Sequence, residues 1–329
     1  MQHDKILLVG CGQLGSRHLQ AVGALDLVGE IHVVDSRADS LEFGKTRLKE
    51  ITDQNPVIKF FWHTQALPCC AGGDLCIVAT QANGRDVVVR DVASQLGYTK
   101  FLIEKIVVQS VSEYRDLMKF CDHEGIAVWV NCKTRAYGIH QYIKTKLDPQ
   151  EPIFFSDVGG NHGLANNGVH SADLFAFYDA ASNIMPVGRR IDPKLLPSKR
   201  GSTIFDLGGT LYGMTAKGSD FVLSFSSLHE SPDQMTIMSP RGRFIVDHFQ
   251  KFAYESYPDD GWQWHQIPIR EDWAVSQMTK MFAREIMTNG MCTLPTLAEC
   301  FAAHEFILGQ LLPEFRRLGA TEGDTCPVT

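Results

Sequence analysis

The sequence predicts an α/β domain with a doubly wound parallel sheet over residues 1–130, followed by an α+β domain with a largely antiparallel open sheet over residues 131–329. Three observations lead to this prediction. The chain has 329 residues, which favours two hydrophobic cores over one. Strand-like and helix-like segments alternate in the first part, as in sheets wound from βαβ units. Residues 203–268 instead show consecutive strand patterns joined by short turns, which is typical of antiparallel sheets.

The predicted strands of the first domain are short apolar runs, of the kind found where a parallel strand is buried on both faces. Helices are predicted over Gln13–Ala24 and Ser36–Ile51, and a third starts at the capping pair Ser110 and Glu113 and ends before Gly125. The six expected strands are Lys5–Val9, Glu30–Asp35, Ile58–Trp62, Asp74–Ala79, Phe101–Glu104 and Ala127–Cys132.

The second domain is predicted to mix helices with its strands. A Gly/Asn-rich loop, Gly159–Gly168, separates a strand over Pro152–Gly159 from a helix over Val169–Ala180. Thr296 and Glu299 have capping-box spacing and are expected to start the last helix. The tail Thr321–Thr329 is polar and is expected to fray. The other predicted helices are Gly138–Leu147, Asp272–Thr288 and Thr296–Leu318.

Composition and charge exclude several classes of protein. The net charge is −7 and no basic stripe is present, which argues against nucleic acid or an anionic membrane as the main partner. No apolar run reaches the length of a membrane helix, and the N-terminus lacks the pattern of a signal peptide. The nine cysteines show no repeated CxxC spacing, so we expect reduced thiols in a cytoplasmic protein and no metal site.

A glycine-rich turn follows the first predicted strand. Gly10, Gly12 and Gly15, with Gln13 and Leu14 between the last two, match G-x-G-x-x-G. The motif lies between a strand and a helix, which is the context of a dinucleotide-binding Rossmann turn. There the glycines permit a tight turn, approach of the backbone to a pyrophosphate and close helix–strand packing, while the helix N-terminus faces the phosphates.

The residues after the second strand bear on which dinucleotide binds. Asp35 ends that strand, and a carboxylate there can accept hydrogen bonds from ribose hydroxyls and would repel a 2′-phosphate. NAD is therefore the expected cofactor. Arg37 keeps NADP open, because a guanidinium could hold that phosphate.

Six segments in this order give the chain a resemblance to the Gfo/Idh/MocA family of oxidoreductases, which includes glucose–fructose oxidoreductase and inositol dehydrogenase. The resemblance covers nearly the whole chain. The segments are Gly10 to His18, Val78-Ala79-Thr80 followed by Gln81, Glu104-Lys105, the sixth strand leading to Arg135 and Tyr137, Asn166 to Asp173, and Leu294-Pro295-Thr296-Leu297.

The resemblance implies hydride transfer between a nicotinamide and a hydroxyl-bearing carbon of a sugar, nucleotide-sugar or cyclitol. It implies that Lys105 and His170 sit beside the reacting hydroxyl, where a group that titrates or shares a proton is needed. Asn166 is expected to be the third catalytic residue, together with Lys105 and His170. Without the resemblance, a lysine at a strand end is an ordinary solvated cap, and a histidine at a helix start an ordinary satisfied side chain.

The resemblance also assigns binding roles and an assembly. The strand-end residues Thr80, Gln81 and Glu104 join the glycine turn at the cofactor. We expect a homodimer or homotetramer formed through the second-domain sheet. The candidate substrate-binding residues are Arg135, His162, Asn167 and Asp173, the last of which could also orient His170. His162 and Asn167 are candidates from the residues alone, because a Gly/Asn-rich loop can line a sugar pocket, and a loop exposed to solvent stays the alternative.

Four positions depart from the family pattern. Asn166 replaces an aspartate and Ile106 replaces the proline after the lysine. Gln81 replaces the proline after Val-Ala-Thr, and Arg85 replaces a histidine. Because a cis bond before a residue other than proline costs about 3 kcal/mol, we expect a trans Lys105–Ile106 bond. Two functions therefore stay open: an active dehydrogenase or reductase, and a catalytically weak or inactive regulator that binds NAD(P) or a sugar on the same scaffold.

Overall fold

A computed structural model describes residues 4–329, and these form two compact units. The first unit comprises residues 4–108, Ser112–Asn131 and Asp272–Ala298. The second comprises Gln109–Val111, Cys132–Glu271 and Glu299–Thr329. The division at residue 130 stays a prediction. The compact units depart from it at Asp272–Ala298, whose helix packs against the first helix of the chain.

The first unit contains a six-stranded, fully parallel sheet with strand order β3-β2-β1-β4-β5-β6, which confirms the predicted doubly wound fold. Its interior is dry, since Ile6, Leu7 and Leu8 of the central strand are 0% exposed. The strands are β1 (Asp4–Val9), β2 (Val28–Val34), β3 (Lys59–His63), β4 (Leu75–Val78), β5 (Lys100–Ile103) and β6 (Ala127–Val130). The helices of this unit are α1 (Gly15–Val22), α2 (Ala38–Leu48), α3 (Arg85–Leu96), α4 (Val111–Glu124) and α7 (Val275–Asn289).

The second unit is built on an eight-stranded mixed sheet with order β16-β15-β14-β13-β7-β12-β11-β8, in which only β7 and β12 pair in parallel. The predicted antiparallel open sheet is confirmed. Its strands are β7 (Phe154–Gly159), β8 (Met185–Ile191), β11 (Gly209–Met214), β12 (Asp220–Phe225), β13 (Gln234–Ser239), β14 (Gly242–Asp247), β15 (Phe252–Ser256) and β16 (His265–Pro268). A two-stranded ribbon, β9 (Leu196–Pro197) with β10 (Phe205–Asp206), contacts α6 (Leu164–Asp179). The other helices of this unit are α5 (Gly138–Lys146) and α8 (Phe301–Arg317).

Helix α6 begins five residues earlier than predicted, so the expected Gly/Asn-rich loop is partly wrong. The reason is a cap supplied from a distant segment. Oδ1 of Asp206 accepts the backbone N–H of Ala165 at 2.8 Å, which satisfies a donor that the first turn of a helix leaves open. Asn166 and Asn167 therefore lie within the helix.

The start of the last helix was also predicted wrongly. Thr296 pairs with Trp129 at the edge of β6, and the N–H of Leu297 bonds to the carbonyl of Val128 at 2.9 Å. These residues extend the sheet edge, so α8 begins only at Phe301, and among the described residues the side chain of its N-cap residue, Cys300, makes no capping hydrogen bond. At its other end, Gly319 adopts a φ of 73°, the left-handed conformation expected of a C-terminal glycine.

The C-terminal tail does not fray. Cys326, Val328 and Thr329 are at most 3% exposed. The N–H of Cys326 bonds to the carbonyl of Gln109, and the N–H of Phe205 to that of Pro327, both at 2.8 Å. The two apolar residues and these hydrogen bonds dock the tail in the second unit, which its polar composition did not indicate.

Strands β8 and β15 were not predicted either. β8 carries prolines and arginines and its residues are largely exposed, so it lacks the alternation of a half-buried strand. Among the described residues, no helix combines the length and the apolar character needed to span a membrane.

Candidate functional site

The glycine turn after β1 shows which of its glycines the fold itself requires. Gly10 has a φ of +91°, and a Cβ there would lie 2.8 Å from the carbonyl carbon of Ala79. A Cβ on Gly15 would lie 1.9 Å from the carbonyl oxygen of Gly10. Gly12 differs, because its φ is not positive and a Cβ would meet no atom within 4 Å. The protein leaves open the space in front of Gly12, where a pyrophosphate would approach.

The start of α1 fits an anionic ligand. No side chain among the described residues caps this helix at its N-cap, Leu14, and its first turn contains no acidic residue. Free N–H groups and the positive end of the helix dipole favour a phosphate at such a position. Gln13 is exposed on the turn, and its side-chain oxygen accepts a hydrogen bond from Arg47 at 2.9 Å.

Asp35 is held at the end of β2, beside the glycine turn. Its Oδ2 accepts the N–H of Cys11 at 2.7 Å, and its Oδ1 accepts the N–H of Arg37 at 2.9 Å. Its own N–H bonds to the carbonyl of His63 at 3.1 Å. The carboxylate is half-buried and each oxygen keeps a further lone pair, so it can accept hydrogen bonds from a ribose. The side chain of Arg37 is exposed.

Arg85 links the ends of two neighbouring strands and is the main residue whose role sequence reasoning missed. It is 1% exposed, and its Nη1 donates to the carbonyls of Glu104 at 2.6 Å and of Ile106. Its Nη2 donates to the carbonyl of Thr80. The guanidinium thus ties the turn after β4 to the segment after β5. Gln81 is exposed on that turn. A buried arginine has no sequence signature, and only its place after a strand end could have marked it.

Glu104 is 4% exposed and is bound as a carboxylate. Its Oε1 accepts hydrogen bonds from Nε2 of His18 at 2.8 Å and from Nδ2 of Asn131 at 2.5 Å. Burial would raise the pKa of Glu104, but the hydrogen bond and charge of His18, the amide of Asn131 and the nearby Arg85 together lower it to about 2. His18 is in turn fixed by Oγ1 of Thr279 at 2.9 Å from its Nδ1. The base of the Lys105 segment is therefore rigid.

Lys105 is 6% exposed and follows Glu104 directly, at the carboxyl end of the sheet. The Lys105–Ile106 peptide bond is cis, so the expectation of a trans bond is wrong. The expectation took proline to be needed for a cis bond at this position. In this fold, Ile106 is fully buried, and Arg85 binds its carbonyl oxygen.

The candidate substrate residues of the second unit lie on or near α6. Asn166 is 7% exposed and its amide is engaged within the protein: Nδ2 donates to the carbonyl of Phe205 at 3.0 Å and to Oδ2 of Asp206 at 2.7 Å. Its Oδ1 accepts the N–H of Thr329 at 2.8 Å. Asn166 thus joins α6, the β10 ribbon and the docked tail.

Arg135 and Asp173 form a buried bidentate ion pair. Nε of Arg135 donates to Oδ2 at 2.8 Å and Nη2 donates to Oδ1 at 2.6 Å. Both residues are at most 6% exposed, and the guanidinium lies 5.1 Å from the ring centre of Phe177. This pairing accounts for the burial of Asp173. A role of either residue toward substrate, or of Asp173 toward His170, stays a prediction.

The remaining candidates are less buried. His170 is half-buried on α6, three residues before Asp173. Asn167 is exposed one turn away and donates from Nδ2 to the carbonyl of His162. The ring of His162 lies 3.5 Å from Oδ1 of Asp233. The start of α6 thus brings Asn166, Asn167 and the His162 segment together on the second unit.

No family model and no curated protein matches the sequence. Solved structures do match over most of both chains. An oxidoreductase from Agrobacterium radiobacter, in complex with NAD+, L-tartaric acid and magnesium, is 14% identical with a TM-score of 0.72, over 93% of this chain and 94% of that one. A UDP-N-acetylglucosamine 3-dehydrogenase from Acidithiobacillus ferrooxidans is 16% identical with a TM-score of 0.71, over 95% and 97%.

A third similar structure is a 3-ketoreductase from Actinomadura kijaniata in complex with NADP. It is 15% identical with a TM-score of 0.68, over 93% of this chain and 96% of that one. At these identities, the likeness shows the shared fold. The chain has the two-domain architecture of these oxidoreductases, with a six-stranded parallel sheet and a mixed, largely antiparallel second sheet.

Proposed function

We propose that the protein is an NAD(P)-dependent oxidoreductase that transfers a hydride between a nicotinamide and a hydroxyl-bearing carbon of a sugar, nucleotide-sugar or cyclitol. The observation that carries the proposal is the open space at Gly12. The fold explains the glycines at positions 10 and 15 but gives no packing reason for a glycine at position 12. A ligand in contact with the backbone supplies that reason.

The residues around this turn fit a dinucleotide. Gly12, Gln13, Leu14 and Gly15 would hold the pyrophosphate with backbone N–H groups, while Gly10, whose own N–H bonds to the carbonyl of Val34, would permit the tight turn. Asp35 would accept a ribose hydroxyl, which favours NAD, although its neighbour Arg37 leaves NADP possible. The turn of Thr80 and Gln81 and the segment from Glu104 would bound the nicotinamide end. The bound cofactor would supply the hydride acceptor or donor.

The chain itself would manage the proton of the substrate hydroxyl. We propose Lys105 for this role because the bonds of Arg85 and His18 to its neighbours hold its segment rigidly. His170, with Asn166 beside it on α6, stays the second candidate, carried by the resemblance alone. Arg135, His162, Asn167 and Asp173 are proposed to support substrate binding on the second unit. Two of the structurally similar proteins bear the names of enzymes acting at the 3-position of their substrates, in agreement with a sugar-like substrate.

The cofactor site is tested by a Gly12→Val variant. The added side chain meets open space in the protein, so the melting temperature without ligand should stay near that of the wild type. The stabilisation that NAD or NADP gives the wild type should disappear, because a ligand stabilises only the state it binds. Thermal-shift titration with NAD, NADH, NADP and NADPH measures both, and Gly323→Val, at another open glycine, is the matched control. Equal shifts in wild type and Gly12→Val would rule out this site.

Turnover is tested with the preferred cofactor and a panel of sugars, nucleotide-sugars and cyclitols. Lys105→Ala should lose turnover by on the order of 100-fold or more, as expected for a general acid–base group, with cofactor affinity kept within severalfold. Lys119→Ala, at an exposed helix position, should behave as wild type. Tight cofactor binding without turnover of any substrate would instead support the function as a regulator. The variant Asn166→Asp would then test whether a carboxylate at this position restores activity.

We propose that the open face of the second-unit sheet pairs with a second copy of the chain. Helices α6 and α8 cover one face, where Phe155 and Phe221 are fully buried. On the other face, Phe154 and Met238 are direct cross-strand neighbours and are 37% and 46% exposed. Val158, 48% exposed, continues the same row on β7. A sheet face with this much exposed apolar surface is typical of an interface.

A further inference from the structure

Two histidines and two cysteines lie close together in the first unit, although their spacing in the sequence does not match that of known metal-binding motifs. His32 lies in β2, His63 ends β3, and Cys69 and Cys70 lie in the 3₁₀ turn Pro68–Cys70 that follows. One nitrogen or sulfur from each of the four side chains lies within 4.8 Å of all the others. A CxxC pattern does not describe this group, because two of its members are histidines from neighbouring strands.

We infer that His32, His63, Cys69 and Cys70 form a structural zinc site. Zinc prefers four tetrahedral ligands drawn from imidazole nitrogen and thiolate sulfur, and this group supplies two of each. The absence of oxygen ligands disfavours magnesium and calcium. Two thiolates would balance the charge of Zn²⁺, and each ion bound would release two thiol protons.

The geometry of the two histidines fits this ligand set. Nδ1 of His32 lies 3.1 Å from Nε2 of His63. Two nitrogens on one tetrahedral zinc are about 3.3 Å apart, given Zn–N bonds of about 2.0–2.1 Å. The rings are nearly parallel, with an interplanar angle of 8°, and His32 also stacks on Phe61 at 4.7 Å. The two nitrogens are hydrogen-bonded to each other in this structure, so each ring would have to turn for both nitrogens to face one ion.

The remaining nitrogen of His32 supports the same conclusion. Nε2 is buried with no hydrogen-bond partner among the described residues, and Oε2 of Glu30 lies 3.8 Å away. A metal-bound histidine commonly donates its other N–H to a carboxylate, which fixes the ring and strengthens the ligand. With zinc on Nδ1, His32 would carry its proton on Nε2 and direct it at Glu30. With the ion bound, Nδ1 of this buried ring would be a ligand and Nε2 would be a donor to Glu30.

The cysteine turn is held in place from two sides. Nζ of Lys5 donates to the carbonyl of Ala71 at 3.0 Å and to that of Cys69 at 3.5 Å. The hydroxyl of Tyr98 donates to the carbonyl of Cys70 at 2.8 Å. Cys70 is fully buried and Cys69 is exposed, so an ion could enter from the side of Cys69.

The test uses the full chain, reduced, freed of metal with a chelator and titrated with Co²⁺ or Zn²⁺ alone. We expect one ion per chain, a thiolate-to-cobalt charge-transfer band and the visible absorption of tetrahedral cobalt. Zn²⁺ should displace the cobalt and raise the melting temperature. Cys69→Ser, at an exposed position, and His63→Asn should each lose the charge-transfer intensity or the tetrahedral spectrum. The controls Cys292→Ser and His123→Asn lie outside the group and should match the wild type.

Three results would overturn the inference. The first is a wild-type protein that takes up no cobalt, or binds it without a thiolate band. The second is a metal whose stoichiometry and spectrum are unchanged in both Cys69→Ser and His63→Asn. The third is a Cys69–Cys70 disulfide that forms in the presence of Zn²⁺, detected by mass spectrometry. None of these readouts uses NAD(P) or turnover, so the site is tested independently of the proposed oxidoreductase activity.

Discussion

The pKa values of two buried carboxyl groups in this protein are shifted in opposite directions, and the neighbours of each group determine the direction. Glu104 is bound by His18 and Asn131 and is held as a carboxylate. Asp157 on β7 is 1% exposed, accepts one hydrogen bond from the hydroxyl of Ser171 at 2.5 Å, and has no partner for its other oxygen among the described residues. Burial, with the negative charge of Asp233 added, raises the pKa of Asp157 well above its usual range.

Asp157 should therefore make stability depend on pH. Because its pKa is higher in the folded than in the unfolded state, the folded protein holds a proton that the unfolded chain releases above about pH 4. The free energy of unfolding then falls as the pH rises toward the folded pKa. Asp157→Asn removes this loss, so the stability of the variant relative to wild type should be higher at pH 8 than at pH 5. Urea unfolding at the two pH values measures it.

The exposed Asp259 provides the control for this measurement. Asp259→Asn should change the stability equally at both pH values. A gain from Asp157→Asn that is the same at pH 5 and pH 8 would show that Asp157 is ionised in the folded protein at both.

At the scale of elements, the Arg135–Asp173 pair connects the turn Lys133–Ala136 to α6. Removing one partner leaves a buried charge without compensation, so Arg135→Met should cost about 3–5 kcal/mol. The double variant Arg135→Met with Asp173→Leu removes both charges and should recover most of that loss. Chemical denaturation of the wild type, the two single variants and the double variant gives the coupling energy.

An additive result would contradict this account of the pair. If the double variant lost as much as the sum of the single variants, the two side chains would not depend on each other. The exposed ion pair of Arg284 with Asp26 is a useful comparison, since a pair of this kind contributes about 0–1 kcal/mol.

At the scale of the whole molecule, the open sheet face makes a prediction about assembly. Val158→Lys places a charge in the row formed with Phe154 and should convert the proposed oligomer to monomers, because an unpaired charge is costly inside an apolar interface. Sedimentation velocity on wild type and variant measures this. Val57→Lys, at a 56% exposed valine of the first unit, should leave the oligomer intact. A monomeric wild type would refute the proposal.

Local patterns predicted the parts of this protein that depend on near neighbours in the chain. The alternation of apolar strands and helices determined the six-stranded parallel sheet, because a buried strand and a crossover helix each carry their own sequence pattern. The glycine turn was predicted for the same reason. Gly10 has a positive φ and Gly15 lies in close contact with Gly10, and both requirements arise within six residues of the sequence.

Contacts between distant segments decided the rest. Asp206 caps α6 from 41 residues away, Arg85 joins two strand ends, and His32 meets His63 and the cysteine turn across neighbouring strands. Sequence spacing carries no information about such meetings, because the fold sets them only after the sheet has formed. The sequence by itself therefore determined the scaffold and the glycine turn, whereas the tertiary structure decided the hydrogen-bond partners of the buried polar groups and assembled the proposed zinc ligands.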